Sequence, residues 1–236
     1  MANLLACLCI AGDRSLKPIS GDARLRLYRQ IKNSLTRAMV VQIPPRLHSI
    51  EEYFALEETA DYRSEYRDGE IVPMTGGSIN HNQIVVNLII ALTLALTEQD
   101  YHVYANDLRL WIPRYHQYTY PDVLIIKGEP VFESGRTDTV LNPNIIFEVL
   151  SKSTSSRDKG DKFTYYRSIP QFQEYVLIDQ YQIHIEQFTK TPEGNWLFSE
   201  SDAEDGVLTL VSANCQILYR QIYEGVNFDR NEQNII

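Results

Sequence analysis

The sequence is poor in cysteine and has no long hydrophobic run. Its 236 residues include three cysteines, too few for a disulfide scaffold or a thiolate zinc site, so we expect a reducing compartment. No apolar stretch approaches the ~20 residues of a membrane-spanning helix, because Asn87 and Thr93 interrupt the longest candidate, residues 84–96. The first ten residues lack the basic start of a signal peptide, and no small-residue cleavage site follows them. We therefore predict a cytoplasmic protein without a membrane segment.

Histidine clusters and phosphate-binding loops are also missing from the sequence. His102, His116 and His184 are scattered along the chain, a pattern that predicts no histidine zinc site. The Gly76-Gly77 pair is not followed by a lysine, so it does not predict a glycine-rich loop that cradles phosphates.

The composition is otherwise that of a globular protein with a core. Apolar residues make up 44% of the chain, charged residues 22% and aromatic residues 11%, a balance that excludes wholesale disorder. Residues 1–38 are basic and have little apolar periodicity, so we interpret them as a loose N-terminal extension. Residues 39–236 are predicted to form a single domain.

The net charge of −9 is unevenly distributed. It is +5 over residues 1–44, −7 over 45–100, +1 over 101–170 and −8 over 171–236. An acidic protein repels a polyanion, which argues against indiscriminate coating of nucleic acid. A phosphate can approach the nearly neutral middle of the chain without strong repulsion, so we expect any nucleic-acid function there.

The order of capping, turn and apolar residues predicts an α/β fold. A capping box at Ser49 predicts a helix at 50–58, and Asp68-Gly69 predicts a hairpin within 66–73. A helix at 79–98 is apolar on nearly all sides, so we expect it to be buried between layers. The other predicted elements are strands at 103–112, 118–126, 144–150 and 174–179, a helix from Thr154 or Ser155 to about Arg167, and polar strands at 183–188, 196–199 and 207–210. This order predicts a central mixed β-sheet flanked by helices, with an antiparallel C-terminal extension of the sheet.

Two of the predicted strands each carry a carboxylate. Asp122 lies near the start of one strand, and Glu148 lies inside the apolar run of the next. A bare charge in a buried strand is strongly unfavourable. If the two side chains face each other, they form an oxygen-only site of the kind that Mg²⁺ or Mn²⁺ prefers. The alternative is that each carboxylate is satisfied separately by a backbone amide or an arginine.

A nuclease site also needs a positive group near the developing charge. Lys152 is the lysine nearest to Glu148 in sequence, but four residues along a strand span ~13 Å, and Leu150 occupies the nearer position on that face. Lys162 is the second candidate, because a helix packed on the sheet can direct its side chain back over the strand. The alternative for Lys162 is an ordinary solvated lysine in a charged run.

A set of short motifs spreads over most of the chain. It comprises Pro121-Asp122, Glu148-Val149-Leu150-Ser151, Thr154, Asp158, Gly160 and Lys162, upstream Arg63, Glu65, Asp68-Gly69-Glu70, Met74, Gly77 and His81, and downstream Tyr166, Ile169-Pro170, Glu174-Tyr175 and Leu177-Ile178-Asp179. With these motifs, roughly residues 45–228 resemble the Uma-type family, which belongs to the PD-(D/E)XK superfamily of restriction-endonuclease-like proteins. Each motif is weak alone, and the combination is specific.

The resemblance implies roles for particular residues. It makes Asp122 and Glu148 the acidic metal ligands. The superfamily usually carries a lysine two residues after the glutamate, where this chain has Leu150, and the resemblance points instead to Lys162 as the catalytic lysine. Further candidates are Glu65 and Glu70 as additional acidic residues, Lys152, and His81, for which the resemblance implies no role.

The resemblance also implies a function. It implies an endonuclease that hydrolyses phosphodiester bonds, most simply those of DNA. It also implies Mg²⁺ as the cofactor, with Mn²⁺ as a substitute, and a homodimer as the active form. The alternative is a non-catalytic nucleic-acid-binding or regulatory module on the same fold. In that case the buried carboxylates serve the structure alone.

Overall fold

A computed structural model describes Arg26 and residues 46–229 of the chain. The extension predicted for residues 1–38 lies outside the described residues, apart from Arg26. The helices are α1 (Ile50–Glu57), α2 (Ile79–Ala95), α3 (Ser155–Arg157), α4 (Phe163–Tyr166) and α5 (Tyr219–Ile222), with a π-helical segment, Asp158–Lys162, joining α3 to α4. The strands are β1 (Ser64–Arg67), β2 (Glu70–Pro73), β3 (Tyr101–Ala105), β4 (Arg109–Ile112), β5 (Gln117–Thr119), β6 (Val123–Lys127), β7 (Thr139–Val140), β8 (Ile145–Leu150), β9 (Glu174–Asp179), β10 (Ile185–Lys190), β11 (Trp196–Ser201), β12 (Val207–Leu210) and β13 (Cys215–Leu218).

The first helix and hairpin form as their local sequence predicts. The Ser49 hydroxyl accepts a hydrogen bond from the Glu52 amide, and the Glu52 carboxylate accepts one from the Ser49 amide, which is the predicted capping box. The turn between β1 and β2 has φ values of +46° at Asp68 and +100° at Gly69. Two positive φ values are typical of the tight hairpin turn that Asp-Gly favours.

A six-stranded mixed sheet forms the centre of the fold, as predicted. Its strand order is β11-β10-β9-β8-β6-β3. The central pair, β8 and β9, is parallel, and the other pairs are antiparallel. All residues of β8 are buried, as expected for a near-continuous apolar strand that is covered on both faces. The antiparallel strands β10 and β11 form the predicted C-terminal extension of the sheet, but the third strand predicted there, 207–210, is wrong for this sheet, because β12 pairs with β13 in a separate two-stranded ladder.

Two hydrophobic clusters cover the faces of this sheet. On one face, α2, α5 and the β12–β13 ladder pack against side chains such as Phe147 and Val149. On the other face, the helical segment 155–166 and strands β4 and β7 pack against side chains such as Ile146 and Leu150. Helix α2 is buried on its sheet side, whereas Val86, Ile90 and Leu94 on its outer side are exposed. The expected burial of α2 on all sides is therefore wrong, because no second layer of described residues covers its outer face.

Two strands that the sequence predicts as continuous are each broken in the structure. The predicted strand 103–112 turns at Asn106, whose φ of +47° is a conformation that asparagine tolerates well. The predicted strand 118–126 is interrupted at Pro121, which has no N–H for the ladder. After each break the chain changes sheet, because β4 and β5 belong to a separate five-stranded sheet of order β2-β1-β5-β4-β7. Asp122 therefore lies at the junction of the two sheets.

The C-terminal segment packs back onto the fold. The apolar residues of this segment, Ile217, Leu218, Ile222 and Tyr223, could from sequence either pack on the sheet or form a dimer face. Ile217, Ile222 and Tyr223 are buried in the cluster beneath α2, and Leu218 is half-buried. Asn87 of α2 fixes the end of α5 by donating hydrogen bonds to the carbonyl oxygens of Ile222 and Glu224. No helix among the described residues is long and apolar enough to cross a membrane.

Candidate active site

Strand pairing brings Asp122 and Glu148 together. Val123 and Phe147 are antiparallel partners in β6 and β8, so Asp122, one residue before β6, lies opposite Glu148. Cross-strand partners have Cβ atoms ~5 Å apart and share one face of the sheet. The Oδ2 atom of Asp122 also accepts a hydrogen bond of 2.7 Å from the Val149 amide. The two carboxylates thus face each other, as the metal-site hypothesis requires.

Glu148 is deeply buried and only partly satisfied. Its residue exposure is 3%. Its Oε1 atom accepts hydrogen bonds from Lys162 Nζ at 2.8 Å and from the Tyr166 hydroxyl at 2.7 Å. No side chain or amide of residues 46–229 donates a hydrogen bond to Oε2, so this oxygen is available to a further ligand.

The π-helical segment carries Lys162 into the site. Lys162 is 7% exposed, and its ammonium lies between Glu148 Oε1, at 2.8 Å, and Asp158 Oδ1, at 3.0 Å. The Tyr175 hydroxyl from β9 donates a hydrogen bond of 2.9 Å to the carbonyl oxygen of Asp158, which anchors the start of the segment on the sheet. Short π-helical insertions within α-helices are frequent at functional sites.

Burial and charge together set the ionisation of this cluster. Burial raises the pKa of Glu148, and the charges of Asp158 and Asp122 raise it further, against the opposing effect of Lys162. Burial lowers the pKa of Lys162, but Glu148 and Asp158 outweigh that effect and hold the pKa well above its usual value. Lys162 is therefore an ammonium, and the Glu148 and Asp158 carboxylates share its single charge.

Asp158 is absent from the site residues predicted from the sequence. It is buried, and its Oδ1 atom receives no well-aligned hydrogen bond although the Lys162 ammonium is close to it. The i,i+4 spacing of Asp158 and Lys162, two residues that both match the family motifs, is the signal that could have identified it.

His81 contacts Asp122 from the start of α2. The Ser78 hydroxyl caps this helix by accepting a hydrogen bond from the His81 amide, and the His81 Nε2 atom lies 3.2 Å from Asp122 Oδ2. Burial lowers the pKa of His81, but the hydrogen bond and charge of Asp122 outweigh burial and raise it. A Cβ atom at Gly77 would lie 2.9 Å from the ring, so any other residue at this position would force the imidazole to shift. His81 thus holds the carboxylate of Asp122 in place.

Glu65 is buried beside the site, and both of its carboxylate oxygens already accept hydrogen bonds. Its Oε1 atom accepts a hydrogen bond from the Thr119 hydroxyl, and its Oε2 atom accepts hydrogen bonds from the Arg67 and Arg157 side chains. Burial raises the pKa of Glu65, but Lys162, Arg157 and these hydrogen bonds outweigh burial and lower it to about 2. The sequence predicts Glu65 as an additional acidic residue near the metal. The geometry favours a different role, in which Glu65 is a fixed negative charge that holds two arginines.

Glu65→Gln should remove part of the acid sensitivity of the protein. A carboxyl whose folded pKa is about 2, against a usual 4.5, contributes stability that is present above pH 4.5 and lost as the pH falls toward 2. The contribution is about 3 kcal/mol. Urea unfolding from about pH 5 to about pH 2 should show a shallower loss of stability in Glu65→Gln than in the unmodified protein. Glu70→Gln is the control, because Glu70 is exposed; equal pH slopes for Glu65→Gln and the unmodified protein would contradict the assignment.

Glu70 and Lys152, which the sequence also proposes for the site, lie outside it. Glu70 is exposed on β2, where it is the cross-strand partner of Arg67. Lys152 is exposed, and its Nζ atom lies 5.4 Å from the centre of the Tyr181 ring. Among the described residues, neither side chain hydrogen-bonds or pairs with Asp122 or Glu148.

The oxygen donors of the site fit a small divalent cation. Asp122 Oδ1 and Glu148 Oε2 are carboxylate oxygens with no hydrogen-bond donor among residues 46–229, and hard oxygen ligands suit Mg²⁺ and Mn²⁺. No third histidine, cysteine or carboxylate of the described chain completes a compact ligand set with them. Mg²⁺ tolerates such a site, because it usually keeps several waters and takes only one or two protein carboxylates.

One other group of potential metal ligands lies on the edge strands. Ligand atoms of His184, Glu186 and Glu200 lie within 4.8 Å of one another. The Lys159 ammonium is 2.5 Å from Glu186 Oε1, so a lysine already balances this carboxylate. The group has no contact with Asp122 or Glu148.

The chain is similar to known proteins in both sequence and fold. Residues 50–215 match the model of the Uma2 family, described as "Putative restriction endonuclease". Two proteins of Synechocystis sp. are similar. "Uncharacterized protein sll1609" is 40% identical over 167 residues, covering 71% of this chain and 94% of that protein. "Uncharacterized protein slr1290" is 35% identical over 184 residues, covering 78% and 95%.

A solved structure shares the fold. It is the crystal structure of "a putative nuclease belonging to DUF820" from Anabaena variabilis, which aligns with a TM-score of 0.63 over 76% of this chain and 99% of that chain. The sequences are 14% identical, so this likeness concerns the fold alone. The family match covers well over half of the chain, and the protein belongs to the Uma2 family of restriction-endonuclease-like proteins.

Proposed function

We propose that the protein is a divalent-metal-dependent endonuclease that hydrolyses phosphodiester bonds of DNA. The observation that carries this proposal is the pairing of Asp122 and Glu148, each with one oxygen that accepts no hydrogen bond from residues 46–229, beside the buried ammonium of Lys162. Membership of the Uma2 family supports a nuclease. A Mg²⁺ or Mn²⁺ ion held by Asp122 and Glu148 supplies Lewis acidity for the attack of water on phosphorus.

The residues of the chain then have separate tasks. The Lys162 ammonium balances negative charge that develops on the phosphate, because it is buried and held in a fixed position by Glu148 and Asp158. Tyr166 and Lys162 orient Glu148 through Oε1, which leaves Oε2 for the ion. His81 and the Val149 amide orient Asp122 through Oδ2, which leaves Oδ1 for the ion.

The cleavage test compares the unmodified protein with Asp122→Asn. Asparagine keeps an acceptor for the Val149 amide but removes the charge that a metal ion needs. Long unmethylated genomic DNA should be cut by the unmodified protein with Mg²⁺ or Mn²⁺ and left intact in EDTA, whereas Asp122→Asn should leave it intact throughout. Unchanged cleavage by Asp122→Asn, or no cleavage by the unmodified protein in either metal, would overturn the proposal in favour of the non-catalytic binding module.

Metal should also stabilise the folded protein. A ligand that binds only the folded state at 100 times its Kd adds about 2.7 kcal/mol, or roughly 5–10 °C in Tm for a chain of this size. Mn²⁺ should therefore raise the Tm of the unmodified protein and of Glu200→Gln, but not that of Asp122→Asn. A shift that survives in Asp122→Asn and disappears in Glu200→Gln would place the ion on the edge strands instead.

A homodimer and a cytoplasmic location remain predictions. Ile217, Ile222 and Tyr223 are buried within the protomer and Leu218 is half-buried, so three of the four C-terminal residues considered for a dimer face are not available for one.

A further inference from the structure

Two arginines converge on one carboxylate oxygen beside the candidate active site. Arg67 from β1 donates to Glu65 Oε2 through Nε at 3.0 Å and through Nη2 at 2.7 Å. Arg157 from α3 donates to the same oxygen through Nη1. The two residues are far apart in sequence, so the fold alone brings their guanidinium groups together.

Glu65 makes this arrangement permanent. It is buried, its other oxygen is held by the Thr119 hydroxyl, and its pKa is lowered to about 2, so it is ionised throughout the physiological range. One negative charge faces two positive charges, and the group therefore keeps a net charge of one positive unit. Two guanidinium groups repel each other, and a second anion placed between them would relieve that repulsion.

The arginine pair is accessible from solvent. The Arg67 side chain is 30% exposed and the Arg157 side chain 19% exposed. A guanidinium has five N–H donors, of which Glu65 takes two from Arg67 and one from Arg157. The remaining donors form a rigid fork of the kind that binds phosphate oxygens in pairs. Glu70 is the nearest cross-strand carboxylate, and it is exposed and makes no bond to Arg67.

The pair lies next to the ammonium of Lys162. Arg157 directly precedes Asp158, whose Oδ1 atom lies 3.0 Å from Lys162 Nζ, and Arg157 also pairs with Glu65. The arginine pair therefore borders the Glu148–Lys162 cluster, and the positive charge of Lys162 accordingly lowers the pKa of Glu65. In a nucleic-acid backbone, neighbouring phosphates follow one another at intervals of one nucleotide, so a phosphate adjacent to the cleaved one falls beside the site.

We propose that Arg67 and Arg157, held by Glu65, bind a backbone phosphate of the nucleic acid next to the phosphate that is cleaved. This inference rests on the proposed function for its substrate, but it concerns binding and not hydrolysis. It also assigns Glu65 the task of positioning the two arginines.

The test measures DNA binding without cleavage. Fluorescence anisotropy of a labelled duplex of about 25 base pairs, in EDTA and over a series of salt concentrations, gives Kd and its salt slope. Arg157→Ala and Arg67→Ala should each weaken binding about tenfold and reduce the slope by about one. Arg157→Lys should keep the slope but lose part of the affinity, because an ammonium pairs with Glu65 but cannot fork.

Lys127→Ala is the matched control. Lys127 is an exposed cation at the other end of β6 from Asp122, roughly 15 Å along the strand. It should change neither Kd nor slope by more than about twofold. The Tm of each variant verifies that it is folded. If Arg157→Ala does not fold, Arg157→Lys takes its place.

Several outcomes would overturn the inference. They are unchanged Kd and slope in both arginine variants, an equal loss in Lys127→Ala, or no binding of the duplex by the unmodified protein. If inorganic phosphate at about 10 mM raises Tm only when both arginines are present, and the duplex does not bind, the ligand is free phosphate and the backbone assignment is wrong. Arginine-dependent binding without any metal-dependent cleavage would retain the arginine pair as a site for a backbone phosphate and reject the nuclease, so the two failures are distinguishable.

Discussion

Glu148→Gln is expected to reduce metal-dependent cleavage at least a hundredfold while the protein stays folded. Glutamine keeps the size of the side chain, and its carbonyl oxygen still accepts hydrogen bonds from Lys162 and Tyr166. The substitution removes the negative charge and replaces the free Oε2 atom with an amide group that cannot bind a cation. Losing one electrostatic group of an active site typically costs 10²–10³ in rate. Initial rates of plasmid cleavage in Mg²⁺ and Mn²⁺ measure the effect.

Glu174→Gln is the control for this experiment. Glu174 is a fully buried glutamate in the adjacent strand β9, where it accepts hydrogen bonds from the Ser212 amide and the Gln187 side chain. It lies at the opposite end of the strand pair from Glu148, so its substitution should affect stability but not the rate per folded molecule. Cleavage by Glu148→Gln at the rate of the unmodified protein would contradict the assignment. A Glu148→Gln protein that fails to fold would favour the purely structural role.

Lys162→Met is expected to lower both cleavage and stability. The substitution leaves Glu148 and Asp158 without the ammonium that balances them in a buried site. Removing one partner of a buried ion pair typically costs about 3–5 kcal/mol, which corresponds to a Tm decrease on the order of 10 °C in a chain of this size. Differential scanning calorimetry with EDTA and with Mn²⁺ measures this decrease in Tm. Mn²⁺ should recover part of the lost Tm, because it supplies positive charge to the same carboxylates, but should not restore cleavage.

Lys159→Met tests whether the expected losses of stability and cleavage are specific to Lys162 or follow from the loss of any lysine in the segment. Lys159 is in the same π-helical segment, but its side chain is largely exposed and pairs with Glu186. Its partner Glu186 is buried but also lies 3.3 Å from His184, so Lys159→Met should lower Tm less than Lys162→Met does and keep its cleavage rate within about twofold. Equal losses in the two variants would show that the segment, and not the Lys162 ammonium, is responsible.

The sequence predicts the central elements of this fold better than their breaks. The apolar run at 145–150 predicts a buried strand, and the structure confirms it, because continuous apolarity has few other solutions. The interruptions at Asn106 and Pro121 are single-residue signals within otherwise strand-like segments, and periodicity alone does not show that the chain changes sheet there. Those interruptions place Asp122 opposite Glu148, so the register of the candidate site depends on tertiary pairing.

The positive and acidic groups of the site were predictable to different degrees. Distance along a strand disfavours Lys152, and the resemblance to the family favours Lys162; the structure places Lys162 against Glu148 and Lys152 outside the site. The partners of Glu65 were not predictable, because Arg157 lies 92 positions further along the chain. No local sequence pattern distinguishes a glutamate that is available to a metal ion from one whose carboxylate is hydrogen-bonded to two arginines. For Asp158, which is absent from the predicted site residues, the spacing to Lys162 is the sequence signal that indicates a place in the site.

The position of a bound ion tests the central claim most directly. Crystals grown with Mn²⁺ and measured at the manganese absorption edge would show the ion in an anomalous difference map. The account predicts a peak in contact with the Asp122 and Glu148 carboxylates, and no such peak in crystals of Asp122→Asn. A map with no peak at these carboxylates, or with its only peak at His184, Glu186 and Glu200, would contradict it.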